Sequence, residues 1–415
     1  METTPSLSQV EFFLNRLLAL IESTHVSYDR AYKITLSRYG VSKWLTESLY
    51  RIGYYTVLYY HSLKWLARKK NYGGKRSGAI AFFRDLGFSV RRLIDVINDE
   101  ASDLSTVKKM GLKYSYPEYV VRELLNYMNV SEVEEYLKSL NDRRVWLRVN
   151  LARATVEDAL ACLEDEGVKI EISRHLNYML LVKSPKWFKA GWSKCFLKKI
   201  VIPQDIASAW VVEVVKSLKP VELIDACSAP GVKLCNITSF SYLRRAVACD
   251  VSRKRILNIY KLLEFTKAPA VKTLIVNTDS SKASFSMKAD LALIDAPCSG
   301  SGAISSDPAV KISISREEKL NYYSEIQLKI LKNMIKYADL IVYSVCSLHP
   351  AEGELIVEKL VEEGLVELIK LENLPLRTAY RGFSISSNSY RTYPHRDLSQ
   401  AFYIAILKPV KRPLG

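Results

Sequence analysis

Two cysteines stand in settings that suit reactive thiols: Asp295-Ala-Pro-Cys298-Ser-Gly300-Ser-Gly302 and Tyr343-Ser-Val-Cys346-Ser347. A core thiol ordinarily behaves as a small hydrophobe, and that reading serves for Cys162, Cys195, Cys235 and Cys249, and for Cys227. Cys298 is instead wrapped in Pro, Ser and Gly, the composition of a tight exposed loop, so burial explains it poorly. A thiol of ordinary pKa, about 8.5, is only slightly ionised at neutral pH, so a nucleophile here needs cations or dipoles nearby. Lys233 and the helix N-termini beyond the strands are the candidates to supply them. The remaining chemistry is carboxylate. Asp225-Ala-Cys-Ser-Ala-Pro-Gly-Val-Lys233 puts an acid and a Pro-Gly turn behind an apolar run; Asp250, Asn277-Thr-Asp279 and Asp295 each close a later one. Each acid alone reads equally as a helix N-cap. In succession at strand ends they read as ligand contacts, with Asp250 placed to accept ribose hydroxyls and Asp279 an exocyclic amine of adenine.

Such residues act together only if the fold gathers them. From about residue 205 short apolar runs alternate with helical segments, at 221–226, 246–250, 270–276, 291–295, 340–345 and 402–407. That alternation predicts an α/β fold with a largely parallel, doubly wound sheet, whose ligands sit beyond the carboxyl ends of the strands. Ahead of it, strand patterns at 145–149, 168–172 and 178–182, with a helix capped by Thr155 and Asp158, predict a small α+β module. Residues 1–140 show helical periodicity and almost no strand signal, beginning with a capping box at Ser8 and Glu11 before Val10, Phe13, Leu14, Leu17, Leu18 and Ile21.

The chain carries 60 Lys+Arg against 44 Asp+Glu, a net charge of +16 that implies a polyanionic partner. Residues 38–76 hold nine basic residues, one acid and seven tyrosines. Cations and rings together suit RNA, while tyrosines filling the core of helices with a basic wet face is the plainer reading. A second run, Lys183, Lys186, Lys189, Lys194, Lys198 and Lys199, is either a solvated linker face or an RNA-facing rim. With 48% hydrophobic residues the chain is not disordered, and its longest stretches without Asp, Glu, Lys or Arg are twelve residues, short of the roughly 18 needed to cross a bilayer. Seven widely spaced cysteines without a CxxC pair, and five histidines, argue against a disulfide framework and against a structural metal site. A start without a basic n-region leaves the cytoplasm as the expected location. Only four glutamines occur, a weak sign of a hot habitat.

These motifs, with Ile202-Pro-Gln-Asp-Ile-Ala-Ser, Asp250-Val-Ser-Arg-Lys-Arg255 and Tyr393-Pro-His-Arg-Asp, resemble in type and order the Nop/Sun RNA cytosine-5 methyltransferases. The resemblance implies a Rossmann-like methyltransferase domain over 191–415, a small RRM-like module over 141–190 carrying Leu147-Arg-Val-Asn150, and, more faintly, a NusB-like RNA-binding domain over 1–140. It implies S-adenosylmethionine held by Ala226, Cys227, Ser228, Ala229, Pro230, Gly231, Val232, Lys233, Asp250, Arg255, Asn277, Asp279 and Asp295. It implies Cys346 as the nucleophile, Cys298 in the release step and Asp295 on the cytosine edge, acting as a monomer on ribosomal or transfer RNA. A competing reading is a non-catalytic RNA-binding assembly factor that has kept the fold. Three positions depart from the family's pattern: Val232 for a second glycine, Val345 for a threonine and Gly353 for an asparagine. Val232 would obstruct the cofactor loop if that position required positive φ.

Overall fold

The computed structural model describes residues 6–39, 46–266, 271–315, 317–372 and 374–410. It divides into two units, Met1–Asp142 with Ala303–Lys319, and Arg143–Gly302 with Leu320–Gly415.

The first unit is helical. Its opening helix, Leu7–Thr24, buries the stripe Val10, Phe13, Leu14, Leu17, Leu18 and Ile21. The cap is Ser6, not Ser8: the Ser6 hydroxyl accepts from Gln9 N while the Gln9 side chain accepts from Ser6 N, so the box closes two residues earlier than the Ser8/Glu11 pattern predicts. Among the described residues, eight further α-helices run from Tyr28 to Asn141. Most of the described tyrosines of the basic stretch resolve toward the core: Tyr50, Tyr54, Tyr59 and Tyr60 are buried, Tyr55 is half-buried and Tyr72 is exposed. Of its nine cations, Lys43 lies outside the described residues, Lys69 and Lys70 pair with Glu100, and Arg76 pairs with Glu22. The free positive field of this stretch is therefore smaller than the sequence tally, and four of its rings are withdrawn into the core.

Residues 303–319, which the sequence reading leaves in the catalytic domain, complete this helical unit. Asp307 Oδ1 accepts from Tyr28 N at 2.9 Å, Tyr54 Oη donates to Ser305 O at 2.8 Å, and Tyr119 Oη donates to Ile314 O at 2.6 Å. Lys311 is buried, donates to Tyr114 O at 2.6 Å and lies 4.0 Å from the Tyr116 ring centre; burial holds its ammonium pKa well below the ordinary lysine value.

The second unit joins two sheets through a shared core. Strands β1 (Trp146–Val149), β2 (Lys169–Ile172), β3 (Met179–Ser184) and β4 (Val201–Pro203) form an antiparallel sheet in the order β2-β3-β1-β4. The helix Val156–Glu164 has the capping box of Thr155 and Asp158 that the sequence predicts. Cys162 and Cys195, expected as separate small hydrophobes, are instead joined by a disulfide with Cα atoms 5.9 Å apart and a sequence separation of 33. Glu166 lies close enough to both sulfurs for the three to hold an ion, but the bond between the sulfurs occupies both. Closing a loop of this size limits the unfolded chain by about 2–4 kcal/mol.

The larger sheet follows with β5 (Glu222–Asp225), β6 (Arg245–Asp250), β7 (Lys272–Asn277), β8 (Ala289–Asp295), β9 (Ala338–Val345), β10 (Val366–Leu368), β11 (Arg377–Thr378), β12 (Tyr390–Arg391) and β13 (Tyr403–Pro409). Its order is β11-β12-β13-β9-β8-β5-β6-β7, with β10 beside β13. Strands β5 to β9 are mutually parallel, and β13 runs antiparallel to β9. The chain moves outward through β5, β6 and β7, then returns to lay β8 on the other side of β5, so the switch point lies between the carboxyl ends of β5 and β8. Asp225 and Asp295 are the last residues of those two strands. Among the described residues no helix is long and apolar enough to cross a membrane.

Candidate active site

Beyond β5 the chain must turn sharply into the helix Val232–Ile237. Gly231 makes the turn with φ +102°, and a Cβ there would lie 3.2 Å from Ile259 Cα. Val232 is the first helical residue and has ordinary negative φ, so the obstruction envisaged for it does not arise. Its side chain lines an apolar groove with Phe196, Ile202, Pro203, Pro230 and Phe265. Gly231→Ala is expected to destabilise the protein by about 1–2 kcal/mol, the cost of a left-handed alanine, with Val232→Gly costing about 1 kcal/mol or less at a first-turn position. Denaturant midpoints of the two variants check the order.

The loop is fixed by its neighbours. Ser228 N donates to Cys249 O at 2.8 Å, Ser280 Oγ donates to Ala226 O at 2.6 Å, and the Arg255 guanidinium donates to Ala229 O. Asp225 and Asp250 are both buried, so these two strand-end acids are not displayed to solvent as their positions suggested. Burial pushes the Asp225 carboxyl up to about 7; the Asp295 charge adds to the rise, and the Ser228 hydroxyl and the Lys233 cation oppose it. Its Oδ1 has no hydrogen-bond partner. Asp250 accepts from Ser252 N at 2.8 Å and lies 3.6 Å from an Arg255 nitrogen, while Asn277 Nδ2 donates to Asp250 O at 2.9 Å. Asp279 accepts from Ser281 Oγ at 2.7 Å and Ser281 N at 3.0 Å, and these bonds hold its carboxyl below the ordinary value.

Asp295, at the end of β8, is held from both sides: Lys233 Nζ donates to Oδ2 at 2.6 Å and Ser344 Oγ, one strand over, donates to Oδ1 at 2.9 Å. Lys233 is thus the counterion of Asp295. Its own side chain is 11% exposed and Asp295 is 31% exposed, leaving the carboxylate the more open partner.

Registered pairing of β8 with β9 brings the two cysteine runs side by side, and Cys298 Sγ lies 3.2 Å from Cys346 Sγ. Both cysteines are half-buried, so Cys298 is neither the fully exposed loop residue that its composition suggests nor a core thiol. The hydrogen bond to the Cys346 sulfur, then burial, then the Cys346 and Glu352 charges raise the Cys298 pKa well above the ordinary thiol value. The other free thiols are less suited to chemistry: burial pushes Cys235 and Cys249 up to about 12 and raises Cys227 strongly.

Sequence reasoning missed the residues beneath the sulfurs. Glu352 is fully buried and accepts from Ser299 and Ser347, each immediately after a cysteine. Arg391 donates to Ser347 O at 2.7 Å and pairs with Glu354 at 2.6 Å, both side chains being wholly buried. In sequence Glu352-Gly353-Glu354 looks like the solvated first turn of a helix; only the serines beside the cysteines hinted at a polar support. Gly353 has a packing reason: a Cβ would lie 2.8 Å from the Tyr403 ring. Val345 is buried in the sheet core opposite Tyr403, where an apolar side chain fits. Asp205 and Gln204 of the Ile202 run are scaffold: Asp205 accepts from Ala207 N and Gln400 N, and Gln204 accepts from Arg148 Nε at 2.7 Å.

Residues 215–408 match the family described as 16S rRNA methyltransferase RsmB/F. The 26S rRNA (cytosine-C(5))-methyltransferase nsun-5 of Caenorhabditis elegans is 25% identical over 316 residues, 68% of this chain and 71% of that protein. Ribosomal RNA small subunit methyltransferase B of Proteus mirabilis is 26% identical over 252 residues, 58% of this chain and 57% of that one. The chain therefore spans just over half of the second relative's length. The crystal structure of PH0851 has the same fold, with a TM-score of 0.78 at 20% identity over 98% of this chain and 100% of that one.

Proposed function

We propose that the chain belongs, through the methyltransferase fold of residues 215–408, to the Nop/Sun family of S-adenosylmethionine-dependent RNA cytosine-5 methyltransferases, and that it methylates carbon 5 of a cytosine in ribosomal or transfer RNA through a covalent adduct on Cys346. The observation that carries the proposal is the pair of sulfurs 3.2 Å apart at the ends of adjacent parallel strands, beside the Lys233–Asp295 pair.

The residues at the switch point fit the cofactor. Gly231 lets the loop turn tightly beyond β5 and pack closely on Ile259, and the orphaned Asp225 Oδ1 is an acceptor suited to an ammonium group. The loop 226–233 would hold the methionine end, Asp250 with Arg255 the ribose, and Asn277 with Asp279 the adenine. When bound, S-adenosylmethionine supplies an electrophilic methyl group.

Carbon 5 of cytosine is too weak a nucleophile to take that methyl unaided. Addition of the Cys346 thiolate to carbon 6 places the ring electrons on carbon 5 as an enamine. Asp295 accepts the amino and protonated N3 edge of the ring, the form that receives a thiolate most readily, with Lys233 compensating the carboxylate. Cys298 stays a thiol while Cys346 attacks, because the forces on Cys298 favour its neutral form. After methyl transfer carbon 5 bears both a methyl and a proton. The Cys298 thiol then gives its proton to solvent, and its thiolate, the more basic for that raised pKa, takes the carbon 5 proton. The electrons of that C–H bond restore the C5–C6 double bond, and the C6–S bond breaks to return Cys346 as thiolate. One proton is released per methyl transferred.

RNA contact is best supplied by the lysine run of residues 183–199. There Lys189 stands 4.3 Å above the ring of Trp192, which is 67% exposed, and Arg143 stacks 5.4 Å from Trp187, so cations and accessible rings alternate as unpaired bases require. Incubation with labelled S-adenosylmethionine and separated ribosomal and transfer RNAs, followed by bisulfite mapping, is expected to place 5-methylcytosine at a defined position in one of them. Cofactor binding without label in either RNA favours the scaffold reading.

A further inference from the structure

We propose that Glu352 is a positioning residue: its carboxylate sets the two thiols against one another by gripping the residue that follows each of them. Oε1 accepts from Ser299 N at 2.8 Å and Gln327 Nε2 at 3.2 Å, while Oε2 accepts from Ser299 Oγ and Ser347 Oγ, each at 2.5 Å. Ser299 follows Cys298, Ser347 follows Cys346, and one carboxylate therefore spans the two loops that the chemistry brings together. Ser301 closes the network from the other side, 3.0 Å from Ser299 Oγ and 3.1 Å from Ser347 Oγ, and accepts from Leu348 N at 3.1 Å. Gly302 N donates to Cys346 O at 3.0 Å, so the loops touch above the carboxylate as well.

The grip is built to be rigid. Glu352 ends a short turn, Pro350–Glu352, that is anchored by Tyr343 Oη donating to Glu352 O at 2.6 Å and by Glu352 N donating to His349 O at 3.1 Å. Gln327, reaching in from the helix Glu318–Met334, also donates to Pro297 O at 2.8 Å, fixing the residue before Cys298. A buried carboxylate without donors would be expelled or protonated; here two serine hydroxyls, a backbone amide and a glutamine amide oppose that tendency, although burial still raises the Glu352 pKa. Cys298, Tyr323 and Tyr343 feel its charge, and all three have raised pKa values. Glu352 is thus also placed to favour the neutral Cys298 thiol. Glutamine at this position keeps the shape but removes the charge and turns one acceptor oxygen into a donor, so the short charge-assisted bonds that join the two loops are weakened.

The role in catalysis rests on the methyltransferase reading, whereas the grip itself is tested without RNA. Phenylarsine oxide, a probe for two thiols held close together, is expected to bridge Cys298 and Cys346 in the full-length protein, with peptide mass spectrometry locating the bridge. Glu352→Gln should slow that capture by about tenfold or more, as a loosened support lets the two thiols drift, while S-adenosylmethionine affinity stays within about twofold. With RNA, kcat is expected to fall by about 10²-fold, the cost of roughly 1 Å of misplacement, with little change in KM. Glu352→Asp, which keeps both oxygens, should restore part of the capture rate. Ser347→Ala removes a single donor and reads the same effect, about threefold to tenfold, if the glutamine variant folds poorly. Wild-type capture rates in either folded variant overturn the proposal. Slowed capture in a protein whose wild type methylates no RNA leaves the grip standing and overturns the enzymatic reading instead.

Discussion

Cys298→Ala is expected to turn the protein into a trap: with S-adenosylmethionine and its RNA, it accumulates a protein–RNA complex that survives denaturing electrophoresis and carries one transferred methyl. Cys346→Ala is expected to form no such complex and to lose methyl transfer by on the order of 10⁴-fold or more, because the proposed mechanism gives attack on carbon 6 to Cys346 alone. The contrast follows from the shared geometry of the sulfurs, which stand 3.2 Å apart, so position alone gives them equal access to the base. The surroundings of Cys298 are what suit it to the later step. The hydrogen bond to Cys346, burial and the Glu352 charge all hold Cys298 in its neutral form, and a thiol held neutral is the poorer attacking group and, once ionised, the stronger base. The double variant Cys298→Ala/Cys346→Ala should behave as Cys346→Ala, since release acts only on an adduct that attack has made. Trapping in Cys346→Ala and none in Cys298→Ala would reverse the two roles.

The chemistry was more legible in the sequence than the scaffold that orders it. Each reactive residue sits at the end of an apolar run, and ends of parallel strands converge, so Asp225, Asp250, Asp295, Cys298 and Cys346 could be picked out by position. Periodicity does not encode strand order, and hence the adjacency of β8 and β9 that joins the sulfurs is a property of the sheet alone. Glu352 was missed for a related reason: a glutamate near a helix start is usually solvated, and nothing local tells a buried one from an exposed one. The segment 303–319 was misplaced because its anchors are remote in sequence, Tyr28 being 279 residues from Asp307 and Tyr54 251 residues from Ser305. The disulfide between Cys162 and Cys195 has no spacing signature, and an odd cysteine count pointed away from it.

The basic stretch of residues 38–76 shows how composition misleads about surface. Its cations and tyrosines are interleaved in sequence, but a helix sorts them onto opposite faces, so four of the tyrosines enter the core with their hydroxyls partly satisfied inside the unit. Trp192 instead closes a single turn, Ala190–Trp192, and is exposed beside Lys189, while Trp187 is half-buried beside Arg143. Charge counts along a sequence therefore do not tell which segment displays its rings at the surface.

Lys233→Met and Asp295→Asn are expected to fail differently, and the difference tests how the base edge is held. In the wild type one lysine serves two carboxyls: it pairs with Asp295 at 2.6 Å and pulls down the pKa of Asp225, which burial and the Asp295 charge have raised to about 7. Removing the cation leaves two carboxyls at the switch point without a counterion, and such a pair retains a shared proton to higher pH. Activity that needs the ionised form then appears only as that proton leaves. The sign follows directly: a carboxyl whose pKa is raised is protonated over a wider acid range, so the acid limb of the pH–rate profile moves upward in Lys233→Met. At pH 7 the loss is expected to be about 10²–10⁴-fold, the range for removing a group that manages proton position, with part of it recovered as the pH rises. Asp295→Asn loses the acceptor itself and should show a comparable loss with no recovery at high pH, because an amide cannot be ionised into the missing carboxylate. S-adenosylmethionine binding by Asp295→Asn, measured separately, assigns how much of its loss belongs to the cofactor. A Lys233→Met protein with a wild-type rate at pH 7 and an unmoved acid limb would remove the lysine–aspartate pair from the mechanism and leave the two sulfurs as the only chemistry the site supports.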